Sequence, residues 1–189
     1  MAHVSIIGTG TMGQAIAGLA GKGGHTVQLL GRNDQDKIAG DIVVLAVPYP
    51  EVRQVLAERG DQLAGKTVVD ITNPLNFETF DSLVVPADSS AAAGIAAALP
   101  ESKVLKAFNT NFAATLASGK VGDGATTVLI AGDDADAKAE LAGVITGGGL
   151  RAIDAGALSR ARELEAMGFV QLTLAVGEKV DWTGGFTLN

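Results

Sequence analysis

The sequence predicts an α/β fold in which a doubly wound parallel sheet carries helices on both faces. Seven short apolar, β-branched segments alternate with helical stretches, as in consecutive βαβ units. Some of these segments, such as 42–47, are apolar throughout, which is typical of strands buried on both faces of a sheet. The predicted strands are 3–7, 26–30, 42–46, 67–71, 104–108, 126–131 and 151–154.

A glycine-rich turn follows the first strand and opens a helix. In the GxGxxG pattern, the first glycine allows a sharp turn and the second lets the backbone approach a pyrophosphate. The third lets the helix pack close to the strand, so that its N-terminal N–H groups point at the phosphates. The pattern predicts a dinucleotide site in a Rossmann-type fold, the alternative being a turn that serves packing alone. Its residues are Gly8, Thr9, Gly10, Thr11, Met12 and Gly13.

The connection between the second and third strands is short. It consists of residues 31–41 only, whereas a right-handed crossover needs about a dozen residues or more. We therefore expect the fold to be shortened after the second strand, by loss of a helix and a strand. The adenine end of the site is then more open.

The end of the second strand predicts the type of dinucleotide. NAD sites place an acidic residue about twenty residues beyond the glycines, to accept from the ribose 2′-OH. This chain has Gly31, Arg32 and Asn33 there. A guanidinium binds a 2′-phosphate bidentately, so the sequence favours NADP(H). In the alternative, Arg32 is a solvated loop residue and Asp34 or Asp36 accepts from the ribose.

Small, polar or proline-containing loops follow the later strands. Because ligands of open α/β sheets bind outside the carboxyl ends of the strands, we expect these loops to form one crevice with the glycine turn. Prolines fix the backbone and carboxamides suit a nicotinamide or ribose, although the same residues serve equally as strand-end caps. The candidates are Val47, Pro48, Tyr49, Thr72, Asn73, Pro74 and Asn109.

The C-terminal part of the predicted single domain (1–189) is a helix and tail, 156–189. Segment 159–179 reads as one long helix, and it is apolar on nearly every side from 166 to 176. This predicts burial on more than one side, and a second subunit could cover one of them in a homodimer. The glycine-rich segment from Trp182 to Phe186 either covers a bound acceptor or packs on its own domain or on a partner subunit.

Composition narrows the function classes. Cysteine is absent, which excludes thiolate metal sites and cysteine nucleophiles, and no metal site is predicted. The net charge of -7 argues against nucleic acid and anionic membranes as partners. The longest apolar runs are too short to span a bilayer, so we expect a cytoplasmic protein without membrane contact. His3 and His25 begin strands at the edge opposite the loops, and no catalytic residue is assigned.

Four motifs together resemble the coenzyme F420-dependent NADP oxidoreductase family: the glycine turn and segments 46–50, 70–74 and 106–110. That family passes hydride between NADPH and the deazaflavin F420, and the chain is also similar to the cytosolic NADPH domain of transmembrane ferric reductases. The resemblance implies that 9–12 hold the pyrophosphate and 31–33 the 2′-phosphate. Pro48, Tyr49, Thr72, Asn73 and Asn109 would then line the ribose–nicotinamide region.

The shortage of acid–base residues favours one reaction class. Hydride transfer to a flavin-like ring needs proximity and stacking rather than protein acids, since the cofactors supply the reactivity. Carbonyl reduction needs a proton donor, and only Tyr49 or Lys106 could serve. We predict an NADPH-dependent oxidoreductase whose small-molecule acceptor is a flavin, a deazaflavin or a similar planar carrier. The alternatives are a redox sensor or a subunit that binds NADP(H) without turnover.

Overall fold

A seven-stranded sheet in the order β2-β1-β3-β4-β5-β8-β9 organises the computed structural model, which describes residues 1–188. Its strands are β1 (His3–Ile7), β2 (Thr26–Leu30), β3 (Ile42–Leu45), β4 (Thr67–Asp70), β5 (Lys103–Ala107), β8 (Thr127–Gly132) and β9 (Arg151–Gly156). The separate pair β6 (Lys120–Val121) and β7 (Gly124–Ala125) forms a small hairpin. The helices are α1 (Thr11–Lys22), α2 (Tyr49–Arg59), α3 (Ala91–Ala98), α4 (Ala113–Ser118), α5 (Ala135–Gly147) and α6 (Ala161–Val176).

The predicted Rossmann-type fold is confirmed, with one correction to the direction of its strands. Strands β2, β1, β3, β4 and β5 are parallel, but β8 pairs antiparallel to β5 and β9 follows β8 in direction. The chain does not cross back between β5 and β8. Instead α4 ends after six residues at Gly119, whose φ of 74° turns the chain into the β6–β7 hairpin. Alternation of strands and helices in a sequence does not encode this reversal.

Two apolar cores cover the faces of the sheet. On one face α1, α4 and α5 contribute residues such as Ile16, Leu116 and Leu141. On the other face α2 and α3 contribute Val52 and Ile95, among others. The strands between the two cores are buried on both sides, which confirms the layered arrangement that the apolar strand pattern predicts.

The short connection 31–41 contains neither helix nor strand, and β2 is an edge strand. The segment is instead an irregular strap. Its Ile38 enters the core at 7% exposure, and Arg59 of α2 donates to the backbone oxygens of Asp34 and Asp36. The predicted shortening after the second strand is therefore present.

Helix α6 is shorter than the predicted 159–179, and a 3-10 turn, Leu158–Arg160, precedes it. Its buried face includes Glu165, Gly168 and Gln171, whereas Val170 and Val176 are 45% and 46% exposed. Burial on more than one side is thus not found within the single chain, because the buried positions recur every three or four residues along one face of the helix. No helix among the described residues has the length and apolar character needed to cross a membrane.

Candidate functional site

The glycine turn between β1 and α1 is shaped by close backbone contacts. Gly8 has a φ of 119°, and a Cβ there would overlap the carbonyl oxygen of Ala46. A Cβ at Gly13 would overlap the carbonyl oxygen of Gly8. Gly10 differs, since a Cβ there would meet no atom within 4 Å. The first and third glycines therefore serve packing, and open space lies above the second.

That open space lies at the N-terminus of α1. Gly10 is the N-cap and supplies no side-chain hydrogen bond. The N–H groups in the first turn of an α-helix have no partner within the helix and attract anions. The turn thus presents donors to a ligand rather than to the protein's own side chains.

A narrow cavity of about 230 Å³ lies between the glycine turn, the end of β2 and α2. On its wall, Arg32 Nη2 is 2.5 Å from Glu51 Oε2, and this hydrogen bond raises the pKa of the arginine. Glu58 and Arg59 line the same cavity. Sequence motifs did not single out these three α2 residues, because only helical periodicity brings positions 51, 58 and 59 to one side of the helix.

Residues after Arg32 form the outer edge of this region. Asp34 Oδ2 accepts from Gly31 N at 2.7 Å, so its carboxylate closes the turn. Asn33 lies on an adjacent polar groove together with Arg32 and Arg59. The structure therefore places the guanidinium of Arg32 at this end of the site, paired with Glu51, while the nearest carboxylate of the loop is bound to the backbone of Gly31.

A wide cavity of about 610 Å³ continues from the narrow one and shares Gly10, Ala46, Val47 and Pro48 with it. The predicted residues divide between the two cavities. The narrow cavity is lined by Gly8, Thr9, Gly10, Gly31, Arg32, Val47 and Pro48. The wide cavity is lined by Gly10, Thr11, Met12, Val47, Pro48, Tyr49, Thr72, Asn73 and Asn109.

Three predicted binding residues, Gly13, Asn33 and Pro74, line neither cavity, and Asn33 lies on the adjacent polar groove. Gly13 packs against β1, as described above. Pro74 is buried, and its carbonyl oxygen accepts from Val84 N in the following loop. Its expected contact with a ligand stays a prediction, since Pro74 lines neither cavity although its neighbour Asn73 lines the wide one.

Unpartnered polar atoms mark the inner wall of the wide cavity. Among residues 1–188, three buried side-chain atoms lack a hydrogen-bond partner: Thr72 Oγ1, Asn109 Oδ1 and Asn111 Oδ1. All three residues line this cavity. Buried polar groups are nearly always paired in native proteins, so these atoms are suited to a polar ligand. Asn111 was not among the predicted binding residues, although it lies in the same loop as Asn109.

The carboxamides are held in fixed orientations. Asn109 Nδ2 donates to Asn73 Oδ1 at 2.9 Å and to Leu164 O at 2.8 Å. Asn73 Nδ2 in turn donates to Asn109 O at 2.8 Å. These bonds leave Asn109 Oδ1 as an acceptor on the cavity wall. The arrangement fits a ligand with an N–H or O–H donor, such as the carboxamide or ribose of a nicotinamide nucleotide.

Backbone strain accompanies this loop. Phe108 directly after β5 has a φ of 62° although it is not glycine, and its side chain is 1% exposed. Its carbonyl oxygen accepts from Asn111 N at 3.1 Å. Strained residues persist where their surroundings fix them, often at functional sites. The strained turn brings Asn109 and Asn111 to the same cavity.

A buried ionic network lies behind the cavity. Lys106 Nζ is 2.7 Å from Asp70 Oδ2, 2.8 Å from Glu165 Oε1 and 2.6 Å from Thr72 O. Burial raises the pKa of Tyr49, and the carboxylates of Glu165 and Asp70 raise it further. Tyr49 therefore keeps its proton at neutral pH. The three hydrogens of Lys106 have partners, so it is not placed as a proton donor.

The tail reaches the mouth of the wide cavity. Trp182 lines the cavity and is 52% exposed. Its ring centroid lies 4.9 Å from that of Phe112, at an angle of 58°. Phe77, on the loop after β4, also lines this mouth and is 48% exposed. Aromatic rings therefore stand where the cavity opens to solvent.

Comparisons with known proteins point to one family. The model of a family described as NADP oxidoreductase, coenzyme F420-dependent, matches residues 27–74. Over 168 residues the chain is 32% identical to an F420-dependent NADP reductase from Methanocaldococcus jannaschii, covering 85% of this chain and 74% of that protein.

Two further similarities extend over most of the chain. It is 29% identical over 180 residues to the metalloreductase STEAP3 from Rattus norvegicus, covering 87% of this chain but 36% of that protein's length. A crystal structure of a suggested F420-dependent NADP reductase from Arthrobacter sp. FB24 superposes with a TM-score of 0.85. It is 27% identical and covers 98% of both chains.

Proposed function

The chain belongs to the coenzyme F420-dependent NADP oxidoreductase family, and we propose that it transfers hydride between NADP(H) and a flavin, a deazaflavin or a similar planar acceptor. The observation that carries the proposal is the set of unpartnered atoms of Thr72, Asn109 and Asn111. They line a cavity that is continuous with the glycine turn. A ligand that spans both cavities thus meets anion-binding N–H groups at one end and hydrogen-bonding side chains at the other.

Each end of this path suits one part of NADP(H). The first turn of α1 would hold the pyrophosphate, and Arg32 would hold the 2′-phosphate. Thr72 and Asn109 would bind the carboxamide or ribose of the nicotinamide half. When bound there, the nicotinamide supplies the hydride chemistry.

The side chains of the protein then act by orientation and by exclusion of water. The paired carboxamides of Asn73 and Asn109 fix one binding geometry. Apolar side chains, including Phe112 and Trp182, offer ring faces to a planar acceptor. Acceptor reduction needs no protein acid beside a carbonyl, which agrees with a wall of amides, hydroxyls and apolar groups. Two relatives whose names include NADP reductase support the same class of reaction.

The test is the consumption of NADPH by the purified protein, followed by its near-ultraviolet absorbance. Coenzyme F420, FMN, riboflavin and a ferric chelate are added in separate reactions, and NADPH binding is measured in parallel. We expect consumption with at least one planar ring compound. Tight NADPH binding without consumption by any acceptor would reject the proposal in favour of a non-catalytic sensor or subunit.

Variants in the tail test where the acceptor binds. Trp182→Ala is expected to raise the KM for the acceptor and to leave the Kd for NADPH unchanged. Phe186→Ala is the matched control, because Phe186 is a similarly exposed aromatic of the same tail but does not line the cavity. Equal effects of the two variants would mean that the tail serves folding only.

We also propose a homodimer formed through α6. Val170 and Val176 of this helix are nearly half exposed, and contact with a second subunit would remove their apolar surface from water. Sedimentation at micromolar concentration is expected to give a dimer, and Val170→Arg a monomer. A monomeric wild-type protein would reject this arrangement.

The cytoplasmic location of the protein stays a prediction.

A further inference from the structure

The wall of the wide cavity is electrically neutral. Among the residues that the structure describes, every side chain on this wall is aliphatic, aromatic, a thioether, an amide or a hydroxyl. Its inner part holds the unpartnered polar atoms, with Thr72 and Asn109 at 4% and 5% exposure. Its outer part is apolar, with Phe77 and Trp182 half exposed at the mouth. A polar ligand half thus fits inside and an uncharged ring fits at the mouth.

The cationic side chains near the site form ion pairs outside the wide cavity. Lys106 lies behind the wall, is 0% exposed, and is bound to Asp70 and Glu165. Arg32 lies on the narrow cavity, where it pairs with Glu51. Arg32 therefore lies at the end of the site that would hold a dinucleotide phosphate, and neither Arg32 nor Lys106 is on the wall of the wide cavity.

The two segments that carry the mouth aromatics are rich in acidic residues. Glu78 and Asp81 follow Phe77, and all three are exposed. Asp181 precedes Trp182 and is exposed, with Glu178 and Lys179 just before it. These charged residues do not line the cavity themselves, but they adjoin Phe77 and Trp182, which do. With a net charge of -7 for the whole chain, we expect an anionic tail on the acceptor to be repelled there.

From these charges we infer that the acceptor is an uncharged planar ring compound of the riboflavin class, rather than a phosphorylated or polycarboxylated carrier. This inference rests on the proposed function and narrows its acceptor. The reaction balances with one proton from water. The ring gains a hydride, with its two electrons, from NADPH and one proton, and NADP⁺ and the dihydro form of the ring are released.

Riboflavin and FMN provide the test, because they share one ring and differ by a phosphate. At low ionic strength, kcat/KM is expected to be about fivefold or more higher for riboflavin, since unscreened repulsion slows only the anion. Added salt should raise kcat/KM for FMN and leave riboflavin unaffected. F420 and its tail-free deazaflavin form a second pair, in which the tail-free ring should be preferred.

A charge reversal next to Trp182 tests whether the effect arises near the mouth. Asp181→Lys should raise kcat/KM for FMN at low salt and leave the riboflavin value unchanged. Glu140→Lys is the matched control, since it makes the same change of net charge at an exposed position of α5. Equal or better use of FMN by the wild-type protein at low salt overturns the inference while the proposed function stands. Failure of all acceptors rejects the proposed function itself.

Discussion

Lys106 of β5 and Glu165 of α6 meet in the interior of the protein, with Nζ 2.8 Å from Oε1 and side chains 0% and 1% exposed. Asp70 of β4 completes the network on the other side of the ammonium group. Glu165 Oε2 also accepts from Ala91 N at 2.9 Å, in the first turn of α3. Two strands and two helices are thus joined directly behind the wide cavity.

The first prediction concerns the ammonium group. Lys106→Met leaves two buried carboxylates without their cation, so the free energy of unfolding should fall by about 3–5 kcal/mol. Denaturant unfolding measures this change. Lys103→Met is the control on the same strand, because Lys103 is 47% exposed and its ion pair with Asp134 is worth at most about 1 kcal/mol. Similar losses in the two variants would show that the network contributes no more than a surface pair.

The second prediction concerns pH. Burial raises the pKa of Glu165 above its ordinary value of 4.5, although Lys106 acts in the opposite direction. The folded protein then binds this proton more tightly than the unfolded chain. The stabilisation that follows from the raised pKa of Glu165 is fully present below pH 4.5. It is lost as pH rises through the folded-state pKa.

The measurement is the free energy of unfolding against pH for the wild type and Glu165→Gln. The difference in free energy of unfolding between the two proteins should change between pH 4.5 and the folded-state pKa of Glu165. Above that pKa the difference should be constant. Glu163→Gln is the control, because Arg162 lowers the pKa of Glu163 and its stabilising contribution is lost only toward acid pH. A constant difference between wild type and Glu165→Gln from pH 4.5 upward would disprove the assignment.

The features that were predicted correctly from the sequence depend on local interactions. The GxGxxG turn and the apolar strands follow from backbone sterics and burial, and the structure has them within one or two residues of the predicted bounds. The strap 31–41 was predictable from length alone.

Features that depend on long-range contacts were not predictable. The reversal of β8 depends on how the short α4 and Gly119 return the chain. Glu165 gives no local signal of its buried partner, because Lys106 lies on a strand far away in sequence. The sequence pattern likewise grouped Pro74 with Asn73, although in the structure Asn73 lines the wide cavity and Pro74 does not.

The third prediction concerns Arg32. Arg32→Ala should weaken NADPH binding about tenfold or more and leave NADH unchanged, because a guanidinium favours a phosphate through paired charged hydrogen bonds. Glu51→Gln should strengthen NADPH binding, since Arg32 then loses the counter-charge 2.5 Å away. Both dissociation constants can be measured by fluorescence titration.

Arg53→Ala is the control for Arg32, since it removes the same charge from an exposed position of α2 that lines neither cavity. NADPH affinity that is equal in the wild type and Arg32→Ala would remove Arg32 from the site. Asp34 would then be the residue to test against NADH.

The fourth prediction concerns the hydroxyl of Thr72, which is buried without a hydrogen-bond partner. Thr72→Val replaces it by a methyl group of similar shape. The protein loses no internal hydrogen bond, so stability should stay equal or rise, whereas NADPH affinity should fall about tenfold if this hydroxyl binds the ligand. Thr126→Val is the matched control, because Thr126 is equally buried and its hydroxyl donates to Thr115 O at 2.8 Å. That variant should lose about 1 kcal/mol of stability and keep its NADPH affinity.

If Thr72→Val instead binds NADPH as tightly as the wild type, the hydroxyl makes no contact with the nicotinamide half. The polar contacts must then come from Asn109 and Asn111 alone.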